Sequence, residues 1–290
     1  VVLTLGDLQV RLVSDGWFRL DGGAMFGVVP KTVWNRDRPC DEHNRIQMAT
    51  NCMLVTGPAG VVLVDTGLGG HLDARFADQH GIDLHRTTLL DSLATLGLEP
   101  GDVDHVILTH LHFDHCGWNC RDTDAGPVPT FPRARYWLQR DEVEAARRPG
   151  ERERSSYLPR NWEPLFVAGQ VELFDESAEP VAGVRAVRAP GHTTGMAIVL
   201  VDGPGGGVAY LADLVPTATH VPTPWVMAYD LYPVTTMESK TSWLPRLAEE
   251  GRLCLFEHDP LTPAGRLVET RPGRYRAEPV PFEVVGAPTS

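Results

Sequence analysis

The stretch "THLHFDHCGW" (109–118) places His110, His112, Asp114 and His115 within six consecutive positions. Neutral imidazole nitrogen and carboxylate oxygen are donors suited to Zn2+ and similar divalent ions, and one such ion takes three or four protein ligands. A continuous strand would send His110, His112 and Asp114 to one face and His115 to the other. A helix would point His110 and His112 roughly opposite ways. A strand that gives way to a loop near residue 110 lets all four converge, and rigid strands hold the ends of such loops. Further residues of ligand type follow other apolar runs: His192 in "APGHTTG", Asp213 after "GVAYLA", and His258 after "LCLFE". Each alone reads as an ordinary loop residue; beside an H-x-H-x-D-H motif they become candidates for one cleft. Asp65, in "VVLVDTG", is expected to stand near the site and orient neighbouring ligands by hydrogen bonding. His43, His71, His80, His85 and His105 have no partner at ligand spacing and read as surface residues. His220, seven residues beyond Asp213, could face the cleft.

The elements that must position these groups are short. "LQVRLVSDGWF" and "NCMLVTGPAGVVLVDTG" carry the β-branched alternation of strands, the second folded into a hairpin at Gly-Pro. "RTTLLDSLATLG" (86–97) has helical spacing and a glycine stop, and "VDHVILTH" (103–110) is a strand that delivers the histidine-rich motif. In the second half "VELFDE", "VRAVRAP", "MAIVLVDG", "GVAYLAD" and "LCLFEHDP" read as strands, and "TTMESKTSWLPRLAEEG" as a helix kinked at Pro245. The glycine run at 203–208 lacks the Lys-Ser/Thr of a phosphate loop and reads as a hairpin turn. Strands pair into hairpins and helices fall between them in each half. This predicts an α+β chain with two sheets face to face and helices outside. Residues 1–290 are expected to form a single domain, with 121–170 a loop and helix insertion near the active site, either a substrate-covering lid or a solvated surface segment.

Bulk composition excludes several partners. Lys and Arg number 26 against 38 Asp and Glu, a formal charge of −12 that disfavours nucleic acid and anionic membrane surfaces. No apolar run reaches the length of a membrane span, and the first residues lack the basic and apolar regions of a signal peptide. Five cysteines without paired spacing read as free thiols in a reducing cytoplasm, which is the expected location.

Taken together, "VDTG", "THLHFDHCGW", "PGHTTG", the strand-terminal Asp213 and "FEHD", in that order between about residues 50 and 260, resemble the metallo-β-lactamase superfamily in its dinuclear metallohydrolase branch. The resemblance implies a four-layer αββα sandwich of two mixed β-sheets. It also implies two divalent ions per chain: His110, His112 and His192 on one, Asp114, His115 and His258 on the other, and Asp213 bridging. Zn2+ is the first expectation for such donors, with Mn, Fe and Co also accepted. Zinc β-lactamases that use a cysteine ligand carry it where this chain has Asp213. Glyoxalase-like enzymes use a basic C-terminal segment that this sequence lacks, and the basic surfaces of RNA-processing members fit poorly with −12.

The stretches "DGGAMFGVVPKTVWNRD" (21–37) and "ADLVPTATHVPTPWVMAYDLYP" (212–233) resemble quorum-quenching N-acyl-homoserine lactonases and methyl-parathion-type hydrolases. The implied activity is a lactonase or esterase reaction, with an N-acyl-homoserine lactone as first substrate, by attack of a hydroxide bridging the metals. Asp114 would return the proton to the leaving alkoxide. The alternatives are an organophosphate triesterase on the same site, then a mononuclear-iron persulfide-dioxygenase-like or glyoxalase-like enzyme. Many of these lactonases carry a tyrosine shortly after the bridging aspartate. Here Asp213-Leu-Val-Pro-Thr has none, so His220 or the metals alone are expected to polarise the carbonyl. Met25, Phe26, Trp34, Trp118, Trp225 and Met227 are expected to line a pocket for an acyl chain or aromatic leaving group. The same residues would otherwise serve as core or as the contact of a homodimer.

Overall fold

The computed structural model describes residues 2–288. Two mixed sheets form its middle. The first runs in the order Leu3–Leu5, Leu8–Asp21, Arg45–Gly57, Gly60–Val64, His105–Ile107, Arg135–Gln139, Val171–Phe174, with Val284–Val285 added parallel to Leu8–Asp21. The second runs Ser177–Val181, Val184–Arg188, Ala197–Gly203, Gly206–Tyr210, Leu253–Leu255, Ala264–Arg271, Arg274–Pro279.

Side-chain alternation explains why the sheets stack. Val62 and Val64 of the first sheet pack with Val199 and Val201 of the second in one buried cluster between them. Their neighbours Leu63 and Leu200 point the other way, because successive strand residues face opposite sides. Leu63 meets Leu89 and Leu93 of the helix Leu89–Thr95 and Val143 of the helix Arg140–Arg147. Leu200 meets Leu244 and Leu247 of the helix Pro233–Glu249. The layers are therefore helix, sheet, sheet, helix. The helix Leu89–Thr95 begins at Thr88 with a reciprocal cap to Asp91, a device that satisfies two otherwise orphaned backbone donors. The helix Pro233–Glu249 continues past Pro245. Among the described residues no helix is long and apolar enough to cross a membrane.

Part of 121–170 differs from the sequence expectation of loop and helix. Arg135–Gln139 is a strand inside the first sheet, parallel to both His105–Ile107 and Val171–Phe174. Its residues Tyr136 and Leu138 pack under the helices, whereas Trp137 packs between the sheets. Only five residues long and flanked by charged ones, it gives little period-2 signal. The same segment holds a small separate hairpin, Cys120–Thr123 with Gly126–Pro129.

A register shift between Ser14 and Trp17 interrupts the long pairing of Leu8–Asp21 with Arg45–Gly57. Gly16 sits there at φ 93, a conformation that favours glycine. The bulge turns Asp15 inward, where its carboxylate accepts from Gly69 N, Leu89 N and Trp118 Nε1. One buried carboxylate thereby fixes the loop after Val64 and the end of the histidine-rich motif.

Candidate metal centre

Every candidate ligand follows the C-terminal end of a strand. Asp65 follows Gly60–Val64, and the histidine-rich motif follows His105–Ile107. His192, Asp213 and His258 follow Val184–Arg188, Gly206–Tyr210 and Leu253–Leu255. Parallel pairing of Gly60–Val64 with His105–Ile107, and of Gly206–Tyr210 with Leu253–Leu255, brings such ends to one edge, where open sheets commonly bind ligands.

The chain leaves extended geometry just after Ile107, as convergence of the four residues requires. Asp65 organises the turn: Oδ1 accepts from Thr109 N at 2.8 Å and Oδ2 from Thr109 Oγ1 at 2.7 Å. The far end of the motif is tied back by Thr66 N to His115 O at 2.7 Å and by Gly117 N to Gly67 O at 2.8 Å. A Cβ at Gly117 would lie 2.1 Å from the Leu68 carbonyl carbon, so only glycine allows this approach.

The side chains meet in two groups. His192 Nε2 lies 3.1 Å from His112 Nδ1, and His258 Nε2 lies 3.1 Å from His115 Nε2. Asp213 reaches both, with Oδ2 3.1 Å from His192 Nε2 and Oδ1 3.1 Å from His258 Nε2. His110 Nε2 is 4.0 Å from Asp213 Oδ2, and Asp114 Oδ2 is 3.8 Å from His258 Nε2. Donor atoms of His110, His112 and His192 lie within 4.8 Å of one another, as do those of His110, His115 and Asp213 and those of Asp114, His115 and His258.

The outer ring nitrogens decide what the inner ones offer. His258 Nδ1 donates to Ala49 O at 2.8 Å, His192 Nδ1 donates to Asp230 Oδ1 at 3.0 Å, and His115 Nδ1 faces Asp65 Oδ2 at 3.1 Å. With Nδ1 turned outward, the Nε2 atoms of His258 and His115 face each other and Asp213. Donor atoms this close demand positive charge among them, and without an ion protons supply it: burial would lower both histidines, yet Asp213 pushes His258 up to about 9 and Glu257, Asp114 and Asp213 raise His115 well above the imidazole range. Burial holds His110 and His112 well below the ordinary imidazole range, which keeps them in the neutral form that binds metal. Burial alone would raise Asp213, yet His192 and His258 outweigh it and hold it well below the carboxylate range. His110 Nε2 and His112 Nε2 are buried without a hydrogen-bond partner, and the complete donor set of imidazoles and carboxylates fits two divalent ions.

The cluster forms one end of a cavity of about 710 Å³, lined there by His112, Asp114, His192, Asp213 and His258. Its apolar lining includes Leu20, Met25, Leu72, Phe76, Phe113 and Met227, which belong to one packed cluster. Of the six residues expected to line a substrate pocket, Met25 and Met227 are there; Phe26, Trp34, Trp118 and Trp225 are not among the lining residues. Phe26 is fully buried, stacked on Trp34 at 5.2 Å and on His220 at 4.6 Å, with Trp225 edge-on at 5.9 Å. Aromatic rings that can cover one another bury more apolar surface than rings left at a cleft wall. Trp118 spends its indole N–H on Asp15.

His220 does not face the cleft either. Its Nδ1 meets Thr217 Oγ1 at 2.8 Å and its Nε2 meets Met25 O at 2.8 Å, while burial pulls it down to about 3. Both nitrogens being engaged, the expectation that it polarises a substrate carbonyl fails on geometry. His71 and His80, expected at the open surface, line the cavity instead. Among the described residues all five cysteines are free, four of them buried.

Several positioning residues give no local sequence signal. Glu142, buried on its helix, accepts from Leu111 N at 3.0 Å, Thr193 Oγ1 at 2.5 Å and Tyr157 OH at 3.0 Å, joining two histidine-bearing loops. Lys240 donates to three carbonyls, of His220, Pro222 and Trp225, and so fixes the loop that leads to Met227. Arg38 forms a buried ion pair with Asp259, next to His258. Glu257 lies against His115, and burial pushes its carboxyl up to about 8, with His115 opposing the shift. Helix position marks neither Glu142 nor Lys240, and Glu257 and Asp259, although they flank His258 in "FEHD", act through tertiary contacts that the motif does not reveal.

Comparison with known proteins gives a consistent result. The sequence profile of the metallo-beta-lactamase superfamily matches residues 45–258. A crystal structure described as "a probable metal-dependent hydrolase from Staphylococcus aureus" is 30% identical with a TM-score of 0.87, covering 95% of this chain and 99% of that one. A "probable metallo-hydrolase" of Mycobacterium bovis is 31% identical over 204 residues, which are 62% of this chain and 63% of that protein. An "N-acyl homoserine lactonase" of a Bacillus species is 30% identical over 162 residues, 52% of this chain and 57% of that protein. The matched stretch therefore spans less than two thirds of either curated relative.

Proposed function

This chain belongs to the metallo-beta-lactamase superfamily, and from that premise we propose that it is a dinuclear metal-dependent hydrolase that opens lactone or ester bonds, with N-acyl homoserine lactones as the first substrates to test. One observation carries the metal part of this reading. The two oxygens of Asp213 each lie 3.1 Å from a different histidine, His192 and His258, and each of those histidines is paired with a further imidazole. We assign His110, His112 and His192 to one ion, Asp114, His115 and His258 to the other, and Asp213 to both, in accord with the groupings of donor atoms.

When bound, two divalent ions supply Lewis acidity and lower the pKa of a coordinated water toward about 7. The remaining work belongs to the chain. Asp230, Ala49 and Asp65 hold His192, His258 and His115 in the tautomers that leave Nε2 free. Asp114 lines the cavity and is placed to carry a proton to the leaving alkoxide. The apolar part of the wall, with Met25, Met227 and Leu231, offers a surface for an acyl chain. The similarity to an N-acyl homoserine lactonase supports the substrate class.

The test is metal analysis followed by a substrate panel: acyl-homoserine lactones, simple γ- and δ-lactones, aryl esters and a paraoxon-like phosphotriester. About two equivalents per chain and preferential turnover of the acyl lactones are expected. A single iron per chain would overturn the dinuclear reading. Turnover of the phosphotriester alone would overturn the substrate class.

A further inference from the structure

Glu257 is a buried carboxylate that the proposed chemistry leaves unused. It immediately precedes His258, is fully shielded from solvent, and places Oε2 3.0 Å from His115 Nδ1. Neither of its oxygens has a hydrogen-bond partner of ordinary geometry. The same His115 nitrogen already faces Asp65 Oδ2 at 3.1 Å. The two carboxylates are not equivalent. Asp65 is occupied by Thr109, which donates to both of its oxygens, so its position is dictated by the turn. The main chain of Glu257 is pinned by Asn51 N, which donates to its carbonyl at 3.0 Å, and its side chain faces His115, with the Tyr210 hydroxyl also beside it. His192 and His258 each have a single partner on the outer nitrogen, Asp230 and the Ala49 carbonyl. His115 alone has two carboxylates.

Burying a carboxylate with no hydrogen bond is costly unless a positive charge compensates it. A carboxylate set behind a metal-binding imidazole makes that imidazole a stronger donor, and losing such a partner typically costs about 10–100-fold in metal affinity or activity. We propose that Glu257 is a second positioning carboxylate for His115, present to tighten one of the two metal positions selectively: the one served by Asp114, His115 and His258. The inference rests on the dinuclear reading.

Glu257→Gln removes the charge and keeps the shape. The experiment titrates metal-free native protein and variant with Co2+, following visible absorption and competition with a chelator, and melts both proteins without metal. The expected result is a loss of about 10–100-fold in affinity at one of two positions, a change of less than about threefold at the other, and a metal-free variant that still melts as a folded protein. Glu257→Asp, which keeps the charge, should recover part of the lost affinity. Equal weakening of both positions, affinities within twofold of native, or a lowered Tm with lost circular dichroism would each overturn the proposal, as would an Asp variant no better than Gln. Native protein that binds fewer than two equivalents would overturn the dinuclear reading and this inference with it, whereas two equivalents with an unaltered Gln variant would overturn the inference alone.

Discussion

The two sheets supply the candidate site in different ways. The first delivers His110, His112, Asp114 and His115 on one loop, shaped by its own neighbours Asp65, Thr109 and Gly117. The second delivers one residue from each of three strand ends, His192, Asp213 and His258, and their spacing is set only by how the strands pack. The first contribution is local in that its four ligand residues share one loop, although Asp65, which shapes that loop, is 44 residues away. The second is a tertiary property, held by distant partners such as Asp230 and the Ala49 carbonyl.

The most severe way to break this arrangement is Asp213→Ala, since Asp213 alone touches both histidine pairs at 3.1 Å. Metal content should fall at both positions, and kcat/KM by roughly 10²–10³-fold or more, the scale of losing one preorganised electrostatic group. His112→Ala should instead leave about one equivalent of metal, which elemental analysis distinguishes. Next in size is Asp230→Asn, which removes the carboxylate behind His192. Affinity at the His110, His112, His192 position should drop about 10–100-fold with little change in Tm. An equal loss at both positions would erase the distinction drawn between local and tertiary ligands.

A smaller effect is expected away from the metals. Met227→Ala enlarges the cavity wall and should raise KM for long-chain lactones by several-fold, at about 0.8 kcal/mol per methylene left unburied, while short-chain KM stays near native. The smallest effect concerns a core thiol. Burial pushes Cys254 from 9 up to about 12, so its folded pKa is raised above the unfolded one. That contribution to stability is complete below about pH 9 and is lost as pH rises from 9 through 12. The urea-midpoint difference between native protein and Cys254→Ala should therefore be constant from pH 7 to about 8.5 and shift against the native protein above 9.

What could be read from the sequence follows the same division. Four ligand-type residues in six positions form a local pattern, and the strand that carries them announces itself by its β-branched run. The helix Leu89–Thr95 was equally legible through the apolar spacing and glycine stop of "RTTLLDSLATLG". Asp213 and His258 stood out only as residues of ligand type at strand ends, once the histidine-rich motif had marked a site. Glu142, Asp230, Glu257 and Lys240 could not be found this way, because a charged side chain reads as solvent-facing until a fold buries it against a specific acceptor or imidazole. The aromatic residues misled for the converse reason. Phe26 and Trp34, in the apolar stretch near the start, and Trp225, after Asp213, pack on one another and on His220 and do not line the cavity.

The contact between Asn51 N and the Glu257 carbonyl, like that between His258 Nδ1 and the Ala49 carbonyl, seals the two sheets together at the site. His115 and His258, facing each other at 3.1 Å, are 143 residues apart in the chain. Closing so long a loop is slow. During synthesis the histidine-rich motif leaves the ribosome long before Asp213 or His258 exists, so the half-site waits as bare imidazoles and a carboxylate. The complete set of donors therefore exists only once residues from both halves of the chain have packed together.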